Sequence, residues 1–155
     1  IQGVKIHTKY SSKAWNGALK PRPFLLFENY AHVELINDSI SDLGWDWKSS
    51  YGITWTENAS GKITKSTITR NFFGVYTQSV NGIEISDNTI TYCHLYGIDP
   101  HTYSKNLLIT RNLSSHNLGH GIILADHVTN SVVSNNVSSF NSELGVWGEE
   151  DSIAG

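Results

Sequence analysis

Tyr96, Asp99 and His101 fall together in the run Tyr96-Gly97-Ile98-Asp99-Pro100-His101, and His120 lies 24 residues beyond Tyr96. A phenol, a carboxyl and an imidazole between them can hold or release a proton from acid to alkaline pH, with the imidazole poised near neutrality. Such a set suits general acid and base work. If the run is a strand, its two-residue period puts Asp99 and His101 on one face. Pro100 between them removes a backbone donor, which an ordinary strand of a parallel sheet has no reason to do. Asp126 adds a second carboxylate further along. Thiol chemistry is poorly supplied: Cys93 is the single cysteine, unable to close an internal disulfide or build a cysteine-rich zinc cluster, and it reads as a small buried hydrophobe.

The elements that could hold such a set follow from composition and spacing. Ser, Thr and Asn make up 45 of the 155 residues, and Ile and Val dominate the apolar set, which favours strands and turns over helices. Short alternating runs such as Val33-Glu34-Leu35 and Ile83-Glu84-Ile85 recur, and no window keeps a 3.6-residue apolar period. The pairs Gly74-Val75, Gly97-Ile98, Gly121-Ile122 and Gly145-Val146 are spaced 23, 24 and 24 residues apart, while Asn88, Asn112 and Asn136 repeat at 24 and 24. This period, without the leucine spacing of leucine-rich repeats, predicts an all-β chain folded as a right-handed parallel β-helix of about five to six coils. Asparagines in register can stack as an amide ladder that satisfies turn backbone groups. At Asn112 and Asn136 that reading is preferred to glycosylation, although both, like Asn37 and Asn58, sit in N-x-S sequons.

One domain is expected over 1–155, with irregular, loop-bearing coils over 1–62 and regular coils over 63–148. The aromatic stretch from Leu43 to Gly52 interrupts the repeat as an irregular coil or a protruding loop. Residues 5–23 read as an opening coil with a loop insertion, and residues 149–155 as a cut through a continuing solenoid. The chain starts at Ile1 and contains no Met, as expected of a piece of a longer helix whose start, with any signal region, lies outside it.

Stacking the coils in this register assigns columns. Val75, Ile98, Ile122 and Val146 should point into the core. Tyr76, Asp99, Ile123 and Trp147, and two residues on Gln78, His101, Ala125 and Glu149, should face outward from one sheet. Phe73, Tyr96, His120 and Leu144 precede the glycines, so Tyr96 and His120 become neighbours about 4.8 Å apart along the axis. An outward strip results, with Tyr96, Asp99, His101, His120 and Asp126 as catalytic candidates and Tyr76, Gln78, Pro100 and Trp147 as substrate-binding ones. His94, His116 and His127 lack such company and read as turn or surface residues. Trp45, Trp47 and Trp55 are either anchors on the helix flank or platforms for stacking sugars.

The run from Tyr96 to His101 resembles the Y-G-x-D-P-H motif of the mannuronan C5-epimerases, β-helix enzymes that convert mannuronate to guluronate within alginate. Arg22-Pro23-Phe24, Leu43-Gly44-Trp45 with Ser50-Tyr51-Gly52, Phe73-Gly74-Val75-Tyr76 and His120-Gly121-Ile122-Ile123 extend the resemblance to periplasmic-type members over most of the chain. It implies catalytic roles for Asp99 and His101, with Tyr96 as a partner, and a periplasmic or secreted setting. Two positions depart from the pattern. Thr102 stands where periplasmic-type members continue with a second acid, and Asp126 stands where they carry an arginine that neutralises the substrate carboxylate. The Ala125-Asp126 pair is similar to one in secreted, calcium-dependent members.

Epimerisation at C5 of a uronate removes a weakly acidic proton α to a carboxylate, whose own charge opposes the carbanion. Asp99, held protonated by repulsion from a bound uronate and from Asp126, could donate to that carboxylate. His101 would then be the base and Tyr96 the acid on the other face of the ring, with His120 holding or deprotonating Tyr96. The same intermediate could expel the 4-O substituent, which is the β-elimination of a polyuronate lyase. A non-catalytic, carbohydrate-binding β-helix is the third reading.

A net charge of −3 offers no basic excess for nucleic acid, and no apolar run is long enough for a membrane span. The same acidity means that an anionic polysaccharide such as alginate or polymannuronate would depend on local cations, Lys48, Lys65, Arg70, Lys105 or Arg111 among them. A monomer is expected, without cofactor or structural metal. Any calcium would be bound through oxygen at loop carboxylates.

Overall fold

Three short strands share each repeat of about 24 residues. Val75–Gln78, Ile83–Ser86 and Thr89–Thr91 make one coil, and Ile98–His101, Leu108–Thr110 and Leu113–Ser115 make the next. A computed structural model describes residues 1–7, 21–149 and 152. The expected opening loop insertion and most of the segment after Glu149 lie outside the described residues. Every strand pairs in parallel with its equivalent one coil away, giving two six-stranded sheets and one five-stranded sheet, about five turns in all. The site sheet consists of Leu25–Phe27, Ile53–Trp55, Val75–Gln78, Ile98–His101, Ile122–Leu124 and Val146–Gly148.

Like residues stack inside. Ile53, Val75, Ile98 and Ile122 are fully buried on the site sheet, Leu35, Ile63, Ile85 and Ile109 on the second, and Ile40, Ile68 and Ile90 on the third. Each contributes about 1.5–3 kcal/mol by leaving water. Val146 pairs with Ile122 as the register requires, yet it is 53% exposed. No described strand lies over it, so the fourth member of the expected core column is aligned with the core without being part of it. The repeating glycine has a packing cause: a Cβ at Gly97 would overlap Ser114 Oγ and the carbonyl oxygen of Gly121.

Between the second and third sheets the chain turns on one left-handed residue per coil, Asp87, Arg111 and Asn135, with φ of 57°, 55° and 54°. That conformation costs a non-glycine residue about 1–2 kcal/mol. The asparagine ladder offsets it. Asn112 Nδ2 donates to Ile85 O (2.8 Å) and Asn136 Oδ1 (3.0 Å), while Asn112 Oδ1 accepts from the backbone N–H and the Nδ2 of Asn88 (both 3.0 Å). Asn112→Ala is therefore expected to orphan two buried backbone groups at about 1–3 kcal/mol each. The melting temperature should fall by about 5–20 °C. A denaturation experiment showing less than about 1 kcal/mol lost would remove the ladder from the account.

A second ladder runs along the next corner. Asn71 Oδ1 accepts from Leu43 N–H, Asn117 Oδ1 from Cys93 N–H, and Asn141 Oδ1 from Asn117 Nδ2 at 2.9 Å. Its register is hidden in the sequence because Cys93 occupies one rung. The buried thiol is pushed up to about 12 by desolvation and stays protonated.

Candidate active site

The strand Ile98–His101 alternates as its period demands, so Asp99 and His101 leave the sheet on its outer side while Ile98 and Pro100 turn inward. Pro100 is buried beside Thr77 and contributes nothing to a binding face, which corrects its expected role. Its effect is on the ladder. Ile98 N–H donates to Gly121 O, and the donor two residues on is the one proline lacks, so pairing with the next coil shrinks to Ile98 opposite Ile122.

The outward strip is not a solvated face. Tyr76, Asp99 and Ile123 are all buried, Asp99 to 1% exposure. Over Tyr76 the cover comes from the aromatic stretch that interrupts the repeat. Arg22 donates to Gly44 O at 2.7 Å and to Leu43 O and Arg70 O at 3.0 Å, and Gly44, at φ 80°, packs so close to the backbone of Tyr51 that a Cβ would overlap it. Tyr51 is thereby held 4.7 Å from Tyr76 and 4.8 Å from Phe73, ring centre to ring centre. The stretch is a packed loop that walls the site, with Trp45 stacked on an exposed Trp47 at its tip. Trp55 is core, tilted against Phe27, and offers no sugar platform.

One lip of the recess is a row of aromatic rings in contact, stacked from Phe73 to His120 and tilted at Trp147. Phe73 meets Tyr96 at 5.4 Å, Tyr96 meets His120 at 5.2 Å, and His120 meets Trp147 at 4.9 Å. His120 does not hold the Tyr96 hydroxyl as expected. Its Nδ1 accepts Leu144 N–H at 3.1 Å and its Nε2 lies 3.1 Å from Glu143 Oε2, so both ring nitrogens are engaged and the ring supports Tyr96 by its face. Along the other lip stand Gln78, which accepts from Tyr76 O–H at 3.4 Å, and His101, whose ring lies 5.8 Å from that of Tyr76. Beyond His101, Thr102 Oγ1 lies 2.6 Å from His101 Nδ1 and donates to Asp126 Oδ2 at 2.8 Å.

Burial, and secondarily Glu149, holds the Asp99 carboxyl well above the usual carboxylate range. The expected direction holds but the cause differs: desolvation leads and Asp126 is not a contributor. Asp99 Oδ1 has no hydrogen-bond partner. Burial and then the nearby Asp99 raise Tyr96, so its phenol is a proton donor at neutral pH. Asp126 is lowered by hydrogen bonds from His127 first and Thr102 second, and it is ionised. None of the three site columns carries Lys or Arg. Arg70 is paired with Asp42 at 2.6 Å and Arg111 with Asp87 at 2.7 Å, which removes both from the cations expected at the groove. Among the described residues no three His, Cys, Asp or Glu side chains converge to hold a metal ion.

His116 and His127 occupy left-handed turn positions, as expected of residues outside the site, although His127 also bonds Asp126 at 2.8 Å. His94 is half-buried beside a turn, and desolvation depresses it to about 4. Tyr51, Glu143 and the Thr102 bridge are the site features that spacing did not mark. For Tyr51 a signal existed in the Ser50-Tyr51-Gly52 element of the resemblance, and Thr102 stood out only as a departure from the motif, while Glu143 had no signal of its own.

A three-sheet parallel coil with a recessed acid and base set on one face defines the class of protein. Residues 25–154 match the family described as right handed beta helix region, and the chain belongs to that family. Within it, the chain is similar to the mannuronan C5-epimerase of Pseudomonas aeruginosa, 30% identical over 130 residues that cover 76% of this chain and 24% of that protein. It is similar to the same enzyme of Pseudomonas fluorescens, 30% identical over 156 residues covering 89% of this chain and 29% of that protein. Among solved structures it superposes on the periplasmic alginate epimerase AlgG with a TM-score of 0.84 and 26% identity, over 86% of this chain and 35% of that one. The chain spans 24% and 29% of the length of these two curated relatives. No helix among the described residues is long and apolar enough to cross a membrane.

Proposed function

We propose that this chain carries the reacting centre of a C5-epimerase that converts mannuronate to guluronate residues within an alginate-like polymer, in the periplasm or outside the cell, as a monomer and without a resident cofactor. The observation that carries the reading is Asp99: a buried carboxyl with one unpartnered oxygen, held by burial well above the usual carboxylate range, with Tyr96 just before its strand and His101 after it on the same strand. A uronate seated over Asp99 receives a hydrogen bond on its carboxylate, which offsets the charge that opposes carbanion formation. With no Lys or Arg in the site columns, this neutral donor does the work of a cation. His101 takes the C5 proton, and the C–H electron pair passes into the carboxylate as an enediolate. Tyr96 O–H then gives its proton to the opposite face of C5. The resulting phenolate and imidazolium reset by exchange with water, so protons balance over the cycle. The similarity to the named epimerases supports the substrate class.

Incubation with polymannuronate in deuterated water tests this. Deuterium at C5 with inversion is the expected result; unsaturated chain ends would replace the reading with β-elimination, and an unchanged polymer would overturn it. Tyr96→Phe separates the two proton transfers. Polymer binding should persist while inversion falls by about 10²-fold or more, and residual C5 exchange on the original face should exceed inversion. Equal loss of exchange and inversion would remove Tyr96 from the role of second acid.

A further inference from the structure

Proton accounting at the His101 lip identifies more than a base. Asp126 is ionised and accepts only, so the single proton of the Thr102 hydroxyl goes to Asp126 Oδ2 at 2.8 Å. Thr102 Oγ1 then has only lone pairs left for His101 Nδ1, 2.6 Å away, and that short contact requires the proton to sit on Nδ1. The competing contact, from Thr102 N–H to the same Nδ1 at 3.0 Å, would need a lone pair there. It is the longer of the two, and it lacks the charge assistance of the chain ending at Asp126. Asp126 is itself fixed on three sides: Oδ1 meets His127 Nδ1 at 2.8 Å, Oδ2 meets Thr102, and its backbone N–H donates to Glu149 Oε2 at 2.8 Å. Thr102 is bent to fit. Its φ is 24°, an unfavourable value for a β-branched side chain, and strain of this kind costs about 1–3 kcal/mol where surrounding contacts enforce it.

We propose that Thr102 is a positioning residue, whose hydroxyl bridges Asp126 to His101 Nδ1, locks the imidazole as the Nδ1–H tautomer and leaves Nε2 as the basic nitrogen. When Nε2 takes a proton, the imidazolium faces the Asp126 charge through one hydroxyl. The two positions where the chain departs from the motif thus act as one unit: the acid missing after Asp-Pro-His is supplied from the next coil through Thr102. The catalytic meaning of the bridge rests on the proposed function, but the bridge itself does not.

Nitrogen-15 spectra of the imidazoles in the whole chain, at a pH where His101 is neutral, read the tautomer without substrate. The native chain should show His101 with its proton on Nδ1. Thr102→Val, similar in shape and still β-branched, should shift His101 predominantly to the Nε2–H form. Thr102→Ser should keep the native tautomer, and Asp126→Asn should weaken the preference. In the epimerase assay Thr102→Val should lower kcat by about 10–100-fold, the range typical of removing an outer hydrogen-bond partner, with KM within about twofold. Thr102→Ser should restore most of it. An unchanged tautomer in Thr102→Val, or a loss in Thr102→Ser as complete as in Thr102→Val, overturns the bridge. A tautomer change as expected, with C5 exchange absent in the native chain, leaves the bridge standing and overturns the epimerase reading instead.

Discussion

His101→Ala is expected to abolish C5 proton exchange to within background, a loss of about 10²–10⁴-fold. Among the described residues its ring is the one imidazole on the outer face of the site sheet with a nitrogen left for substrate. His120 cannot substitute, because Leu144 N–H and Glu143 already engage both of its nitrogens. Polymer binding should be nearly unchanged, since the aromatic lip from Phe73 to Trp147 and the floor at Tyr76 are untouched by the substitution. Deuterium incorporation at C5, measured beside polymer binding, is the check. Exchange within a few-fold of the native rate would mean that His101 belongs to a sugar-binding lip and that the base lies elsewhere.

Asp99→Asn should produce two opposite effects. Epimerisation should fall by about 10²–10³-fold, the usual consequence of losing a donor aimed at developing negative charge. Stability should rise at neutral pH. The native carboxyl keeps its proton where the unfolded chain, with an ordinary aspartate near 3.9, has lost it. The folded state therefore binds more protons, and the contribution of Asp99 to stability is fully present below the unfolded value and declines as pH rises toward the raised native one. Asparagine has no such titration. The stability difference in favour of Asp99→Asn should grow as pH increases from about 4 to about 7. Thermal unfolding at several pH values measures it. A difference that stays constant or reverses would mean that Asp99 is ionised and stabilised in the fold, and the neutral donor would have to be abandoned.

These two expectations share a structural origin. The site spends stability on a buried, incompletely bonded carboxyl and on a strained Thr102, and the surrounding coil restores it through repetition. Stacked isoleucines and two amide ladders hold the site sheet in place, so the strand bearing Asp99 and His101 has little freedom to relax. A tyrosine wall held by Arg22 and Gly44 then keeps water from the floor.

Much of this could be read from the order of residues alone. The 24-residue spacing of Gly97, Gly121 and Gly145, and of Asn88, Asn112 and Asn136, contains the register of the later coils, because in a stacked coil the neighbour of a residue is the residue one period away, whereas the first coils pair at offsets of 28 and 22 that this spacing does not reveal. Alternation along Ile98–His101 likewise settles that Asp99 and His101 share a face and, read strictly, that Pro100 does not. Depth was another matter. Tyr76, beside Asp99 on the same face, is covered in part by Tyr51, which arrives from a loop outside the repeat, and periodicity carries no information about a segment that breaks it. The second ladder was obscured by Cys93, since a backbone donor can meet an amide from the next coil whichever side chain it belongs to. Direction of bonding was equally out of reach: whether His120 turns a nitrogen or a face toward Tyr96, and whether Asp126 acts on Asp99 or on His101, depends on torsions and competing partners across coils. Only the folded coil, in which Glu143 claims one nitrogen of His120 and Thr102 delivers Asp126 to His101, decides those.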